Sequence, residues 1–180
     1  MLENPEHRLN IREQLLVELS YFNIHYVADS VGTDPGFFKT IMELVLKDKD
    51  PVPARAAWVA ELVTQKDPGL IRPYLKDIVK GLKRYTHPGT TRNILKILMR
   101  TEIPESLQGI LVDYCFRCIA DADEKVAAKV YAMQIIENHV PMYPELAGEL
   151  SEMIRDQFSK NSAGFKSRGR KVLKNMEKYL

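Results

Sequence analysis

The chain of 180 residues is 45% hydrophobic and 28% charged, a balance that fits one buried core and excludes disordered and fibrous classes. A net charge of +2 is too near neutral to argue nucleic-acid binding from the total, and two cysteines three positions apart exclude a disulfide framework. No apolar run approaches the roughly 20 residues needed to cross a bilayer, and residues 1–10 are polar without a signal-peptide pattern, so a cytoplasmic location is expected.

Leu9 to Phe22 carries Ile11, Leu15, Leu16, Leu19 and Phe22 at a spacing that predicts one apolar stripe on a helix. Ile24 to Val31 reads as a shorter helix stopped by Gly32, because glycine accepts the left-handed conformation that ends helices. Asp34-Pro35 opens the next helix: the carboxylate can cap free amides, and proline fits the first turn. Residues 47–50 form a polar loop. Pro51 to Thr64 follows, with the small-residue run Ala54-Arg55-Ala56-Ala57 and Trp58 as core bulk. A helix over Asp67–Leu82, a break at His87-Pro88-Gly89, and helices over Thr90–Arg100 and Pro104–Ile119 come next. Asp121 to Asp123 is expected to cap Val126–Asn138. Pro141 and Pro144 precede Tyr143–Phe158, and Asn161-Ser162 opens Phe165–Leu180. No segment alternates as a strand does. The reading is about ten helices, no sheet, and short loops that make successive helices antiparallel neighbours.

The helix over Asp67–Leu82 recurs. A shift of 33 lays Phe38, Met42 and Val45 on Ile71, Leu75 and Ile78. A shift of 36 lays Ile71, Tyr74, Leu75, Ile78, Val79 and Leu82 on Leu107, Ile110, Leu111, Tyr114, Cys115 and Cys118. A further 36 reaches Tyr143, Leu146, Ala147, Leu150, Ser151 and Ile154, with one polar break. Amphipathic helices at a near-constant period mark a repeat array.

Small-residue first helices alternate with these second helices. Ala54-Arg55-Ala56-Ala57-Trp58, Thr91-Arg92-Asn93-Ile94-Leu95 and Val126-Ala127-Ala128-Lys129-Val130 stand where HEAT-like first helices carry Val-Arg-x-x-Ala, although the third lacks the arginine. Ser167-Arg168-Gly169 fills the slot in the last helix. The chain thus resembles α-solenoids of the HEAT/armadillo type. That implies an all-α superhelix of antiparallel helix pairs in a single domain over 1–180, acting as a protein-interaction scaffold. The chain is also similar to short bacterial HEAT-like proteins, some of which are labelled adenylosuccinate lyase. That lyase superfamily carries a Gly-Ser-Ser-x-Met-Pro-x-Lys-x-Asn loop, which this sequence lacks, so the label implies no chemistry here.

No nucleophile motif, His-Glu-x-x-His pair or phosphate-binding glycine loop is present, so no catalytic residue, cofactor or metal is expected. Cys115-Phe116-Arg117-Cys118 is Cys-x-x-Cys in spelling, but both thiols fall on an apolar helix stripe and read as core. His7, His25, His87 and His139 are scattered, and Glu145, Glu149 and Glu152 read as a solvated face.

In solenoids the second helices usually line the concave face. Lys76 and Lys80 are outward on their helix, and the period maps them to Val112 and Phe116, then to Gly148 and Glu152. A groove is expected that holds a protein or peptide, with Val112 and Phe116 as exposed apolar anchors and Arg72, Lys76, Lys80 and Lys83 steering an acidic segment. The alternative is a nucleic-acid-binding protein, similar to the HEAT-like DNA glycosylases. It would use the stripe from Arg72 to Lys83 and the lysines of the last helix. No membrane partner is expected.

Overall fold

The computed structural model describes residues 10–180. Leu9 and His7 lie outside the described residues. Among the described residues there are ten α-helices and no strand, and the fold is all-α, built from antiparallel helix pairs. The chain divides into two compact units, up to Tyr74 and from Leu75 onward.

In the first unit, α1 (Ile11–Val17) and α2 (Tyr21–Val31) replace the single helix expected over Leu9–Phe22. Asn23 is the reason. It is buried, and its amide donates to the carbonyls of Gln14 and Glu18, each at 2.9 Å, while its oxygen accepts from the Gln14 side chain at 2.7 Å. Carbonyls left free at the end of α1 thereby find partners. Glu18 is extended, and the Ser20 hydroxyl caps α2 by accepting from the amide of Asn23 at 3.0 Å. The break re-aims the apolar stripe: Ile11 and Leu15 stay buried, whereas Leu16, Leu19 and Phe22 face solvent.

Gly32 ends α2 at φ +55°, a value that favours glycine, with its amide on the Ala28 carbonyl at 3.0 Å. Asp34 caps α3 (Pro35–Lys47) by accepting from the amide of Phe37 at 2.8 Å. Helix α4 (Val52–Lys66) packs on both α2 and α3 through its small residues: Ala54, Ala56, Ala57 and Ala60 are all buried. Trp58, expected as core bulk, is only half-buried. Arg55 reaches from α4 to donate to the Leu15 carbonyl.

The helix expected over Asp67–Leu82 is not uniform. Residues 68–74 wind as a tight 3₁₀ segment, α5 covers Leu75–Gly81, and a second 3₁₀ turn covers residues 82–84. Pro73 accounts for the tight start, since it has no amide to donate and crowds the preceding turn. At the end of the first unit, Tyr74 meets Phe38 edge-on, with ring centroids 5.9 Å apart.

The second unit has two layers. Helices α6 (Pro88–Leu98), α8 (Val126–His139) and α10 (Ala163–Met176) pack side by side. So do α5, α7 (Glu105–Ala120) and α9 (Leu146–Phe158). The repeat is visible in burial. Leu75, Leu111 and Ala147 are all enclosed, as are Val79, Cys115 and Ser151, and Leu82, Cys118 and Ile154. The His87 ring caps α6, its Nδ1 accepting from the amide of Gly89 at 3.0 Å. Asp121 does not cap α8. It closes the turn before it, accepting from the amide of Asp123 at 2.9 Å. Glu137 of α8 clamps α10, taking Arg168 at 3.1 Å and Asn175 at 2.6 Å.

Candidate functional site

On α5, Leu75, Ile78 and Val79 are buried, so Lys76 and Lys80 are carried to the opposite face one turn apart. The turn that follows adds Lys83 and Arg84, also exposed. Gly81 joins α5 to that turn in ordinary helical geometry, with the Arg84 guanidinium close to it. None of Lys76, Lys80 and Lys83 forms an ion pair among the described residues. Asp77 is the one exposed carboxylate on α5. Arg72, in the first unit, is exposed as well.

On α7 the expected face is corrected. Val112 is buried at 9% exposure, and Phe116 is half-buried, so they are not an exposed apolar pair. Helix α7 touches α5, α8 and α9, and a helix with three neighbours buries more than one stripe. Gln108, one turn before Val112, marks the second stripe. It donates to the Ile103 carbonyl at 2.8 Å and accepts from the Tyr143 hydroxyl, just ahead of α9, at 2.8 Å. The solvent face of α7 instead carries Ile110, which the repeat alignment had placed in the core, together with Asp113 and Arg117. Those last two neutralise each other across one turn at 2.8 Å.

Glu145, just before α9, and Glu149 and Glu152 on it are exposed. Exposed positions on three neighbouring helices thus run from unpaired lysines on α5, through a self-paired Asp113–Arg117, to glutamates on α9.

The rest offers little chemistry. Cys115 is enclosed, and burial pushes its thiol well above the ordinary range; burial pushes Cys118 up to about 12. Thiols held protonated in this way pack as core. His139 is buried, with Nδ1 on the Ile135 carbonyl at 2.7 Å. Among the described residues, no three His, Cys, Asp or Glu side chains gather as a metal site, and no helix is long and apolar enough to cross a membrane.

Two features escaped the sequence. Lys129 is sunk in the core at 1% exposure, close enough to Cys118 for its charge to oppose the upward shift of that thiol. A lysine amid small residues gives no pattern that foretells this. The other is a group of exposed apolar side chains between Leu16 and Tyr26, which the break at Glu18 creates.

A family model described as a HEAT repeat domain matches residues 11–176. No curated protein and no solved structure matches the chain.

Proposed function

The chain belongs to the HEAT repeat domain family, and from that premise we propose that it is a scaffold that binds a protein or peptide segment across the exposed faces of α5, α7 and α9. Stacked repeats commonly present extended surfaces to other proteins. The observation that carries the reading is charge of opposite sign on one helix layer. Lys76 and Lys80 on α5 and Lys83 on the turn after it stand unpaired, and Glu149 and Glu152 stand exposed on α9. An acidic stretch of the partner lies over the lysines, its basic or neutral continuation lies toward Glu152, and Phe116 supplies an apolar contact between them. Val112 belongs to the core and is no anchor. Arg72 extends the basic character only as a separate exposed cation.

A second reading, nucleic-acid binding, draws support from α10. Residues 163–180 hold Lys166, Arg168, Arg170, Lys171, Lys174 and Lys178 against Glu177 alone, a net +5 in a chain whose total is +2. Lys171, Lys174 and Lys178 are exposed, and such a stripe suits a phosphate backbone.

One assay separates the readings. Fluorescence anisotropy with a labelled glutamate-rich peptide and with a labelled duplex DNA is measured against the full chain and against Lys76→Glu/Lys80→Glu/Lys83→Glu. The scaffold reading expects peptide binding that weakens with salt and falls at least about ten-fold in the triple variant. Preference for the duplex, lost with Lys171→Glu/Lys174→Glu instead, transfers the function to α10. Peptide affinity indifferent to the triple reversal ends the scaffold reading at α5.

A further inference from the structure

Six apolar or aromatic side chains stand in solvent within eleven residues: Leu16, Val17, Leu19, Tyr21, Phe22 and Tyr26, between 41% and 81% exposed. They share the end of α1, the break and the first turns of α2. Phe22 and Tyr26 lie one turn apart on one face of α2. The rings are already ordered against one another: Tyr21 stacks on His25 at 3.9 Å and meets Phe22 edge-on at 6.0 Å. Arg12 and Asp29, on the same two helices, are neutralised within the chain by Asp48 at 2.6 Å and Lys66 at 2.7 Å. That leaves Glu13 and Glu18 as the acidic groups of this stretch, with His25 beside them.

With full side-chain areas of roughly 150–250 Å² for large apolar and aromatic residues, these exposures amount to about 700 Å². Where such side chains form one patch, a lone folded chain rarely leaves it bare. Two such surfaces face to face bury at most about 1,400 Å², a ceiling that falls within the range of stable specific interfaces.

We propose that this surface is the interface of a homodimer with two-fold symmetry, α2 against α2, with Phe22 and Tyr26 at its centre. The occupant is a second copy because the patch is self-complementary in kind. Apolar area meets equal apolar area, ring edges and faces are both on offer, and with Arg12 and Asp29 paired within the chain, Glu13 and Glu18 are the like charges that two copies must hold apart. The proposal uses none of the residues assigned to segment binding, so either can fail without the other.

The test is sedimentation velocity on the full chain from about 1 to 100 μM, a span chosen because interfaces of this size range from micromolar to tighter. The expected species is twice 20.7 kDa. Phe22→Glu/Tyr26→Glu is expected to raise the dissociation constant at least about 100-fold with an unchanged helical circular dichroism spectrum. Leu19→Lys does the same more weakly and serves if the double variant misfolds. Lys174→Glu leaves the dimer as it is. A species of 20.7 kDa at every concentration overturns the proposal, whether or not another protein is found on the patch. A dimer that ignores all the α1–α2 substitutions overturns it as well.

Discussion

Ser151 sits where the repeat places Val79 and Cys115. It is fully enclosed, and its hydroxyl has no hydrogen-bond partner. A buried hydroxyl without a partner costs about 1–3 kcal/mol. Ser151→Ala therefore raises stability by about 1 kcal/mol or more. Part of any Ser→Ala gain in a helix is propensity alone, so Ser167→Ala on the exposed side of α10 measures that part. Urea midpoints in which Ser151→Ala gains no more than Ser167→Ala would refute the account. The cysteines supply a second check. With burial holding the Cys118 thiol up at about 12, only on the order of one molecule in 10,000 carries that thiolate at pH 8. Iodoacetamide should leave both thiols of the native chain unmodified between pH 7 and 9, and label both once urea unfolds it. Native labelling at the rate of an open peptide would mean that Cys-x-x-Cys is accessible after all.

At the scale of one helix, glycine shows how neighbours decide the sign of a substitution. Gly109 lies in α7 with nothing within 4 Å of where a Cβ would stand. Gly169 lies in α10, where the same Cβ would come 2.9 Å from the buried Ile154 methyl and 3.4 Å from the Phe158 ring. Alanine in a helix interior gains up to about 1 kcal/mol over glycine, while overpacking a rigid contact costs about 1–3 kcal/mol. Gly109→Ala should raise the urea midpoint, and Gly169→Ala should lower stability by about 1 kcal/mol. Shifts of the same sign would show that α9 and α10 do not approach so closely. The contrast also marks what could be read in advance. Burial of Leu75, Leu111 and Ala147 followed from the period alone, because one stripe dominates each second helix. The swap of Ile110 for Val112 on α7 did not, because a helix with three neighbours buries a stripe that one chain's periodicity records only faintly. At α1–α2 the signal was present. Ser20 is of a type that caps helices, but the apolar residues on either side of it read as one continuous stripe. The lysines of α5 were legible as exposed. That glutamates of α9 share their layer, with α7 between, rests on which helices pack together.

For the whole chain, energetic coupling in stacked repeats passes between neighbours, so stability is distributed rather than held in one centre. Phe165 tests this. It is fully buried in α10, which packs on α8 and α9, and truncating such a ring costs about 3–5 kcal/mol. If that loss were shared by every element, all amides would exchange faster together. The repeat architecture predicts otherwise: in Phe165→Ala, amide exchange should quicken about 100-fold in α8, α9 and α10, while α2, α3 and α4 keep nearly their original protection. The first unit has its own core, with Phe38, Ile41, Met42, Val59 and Val63 enclosed without help from α10. Hydrogen-exchange mass spectrometry resolves the helices separately. Equal acceleration in α3 and α10 would mean that the chain unfolds as one cooperative body, and that its resemblance to a stack of semi-independent helix pairs ends at geometry.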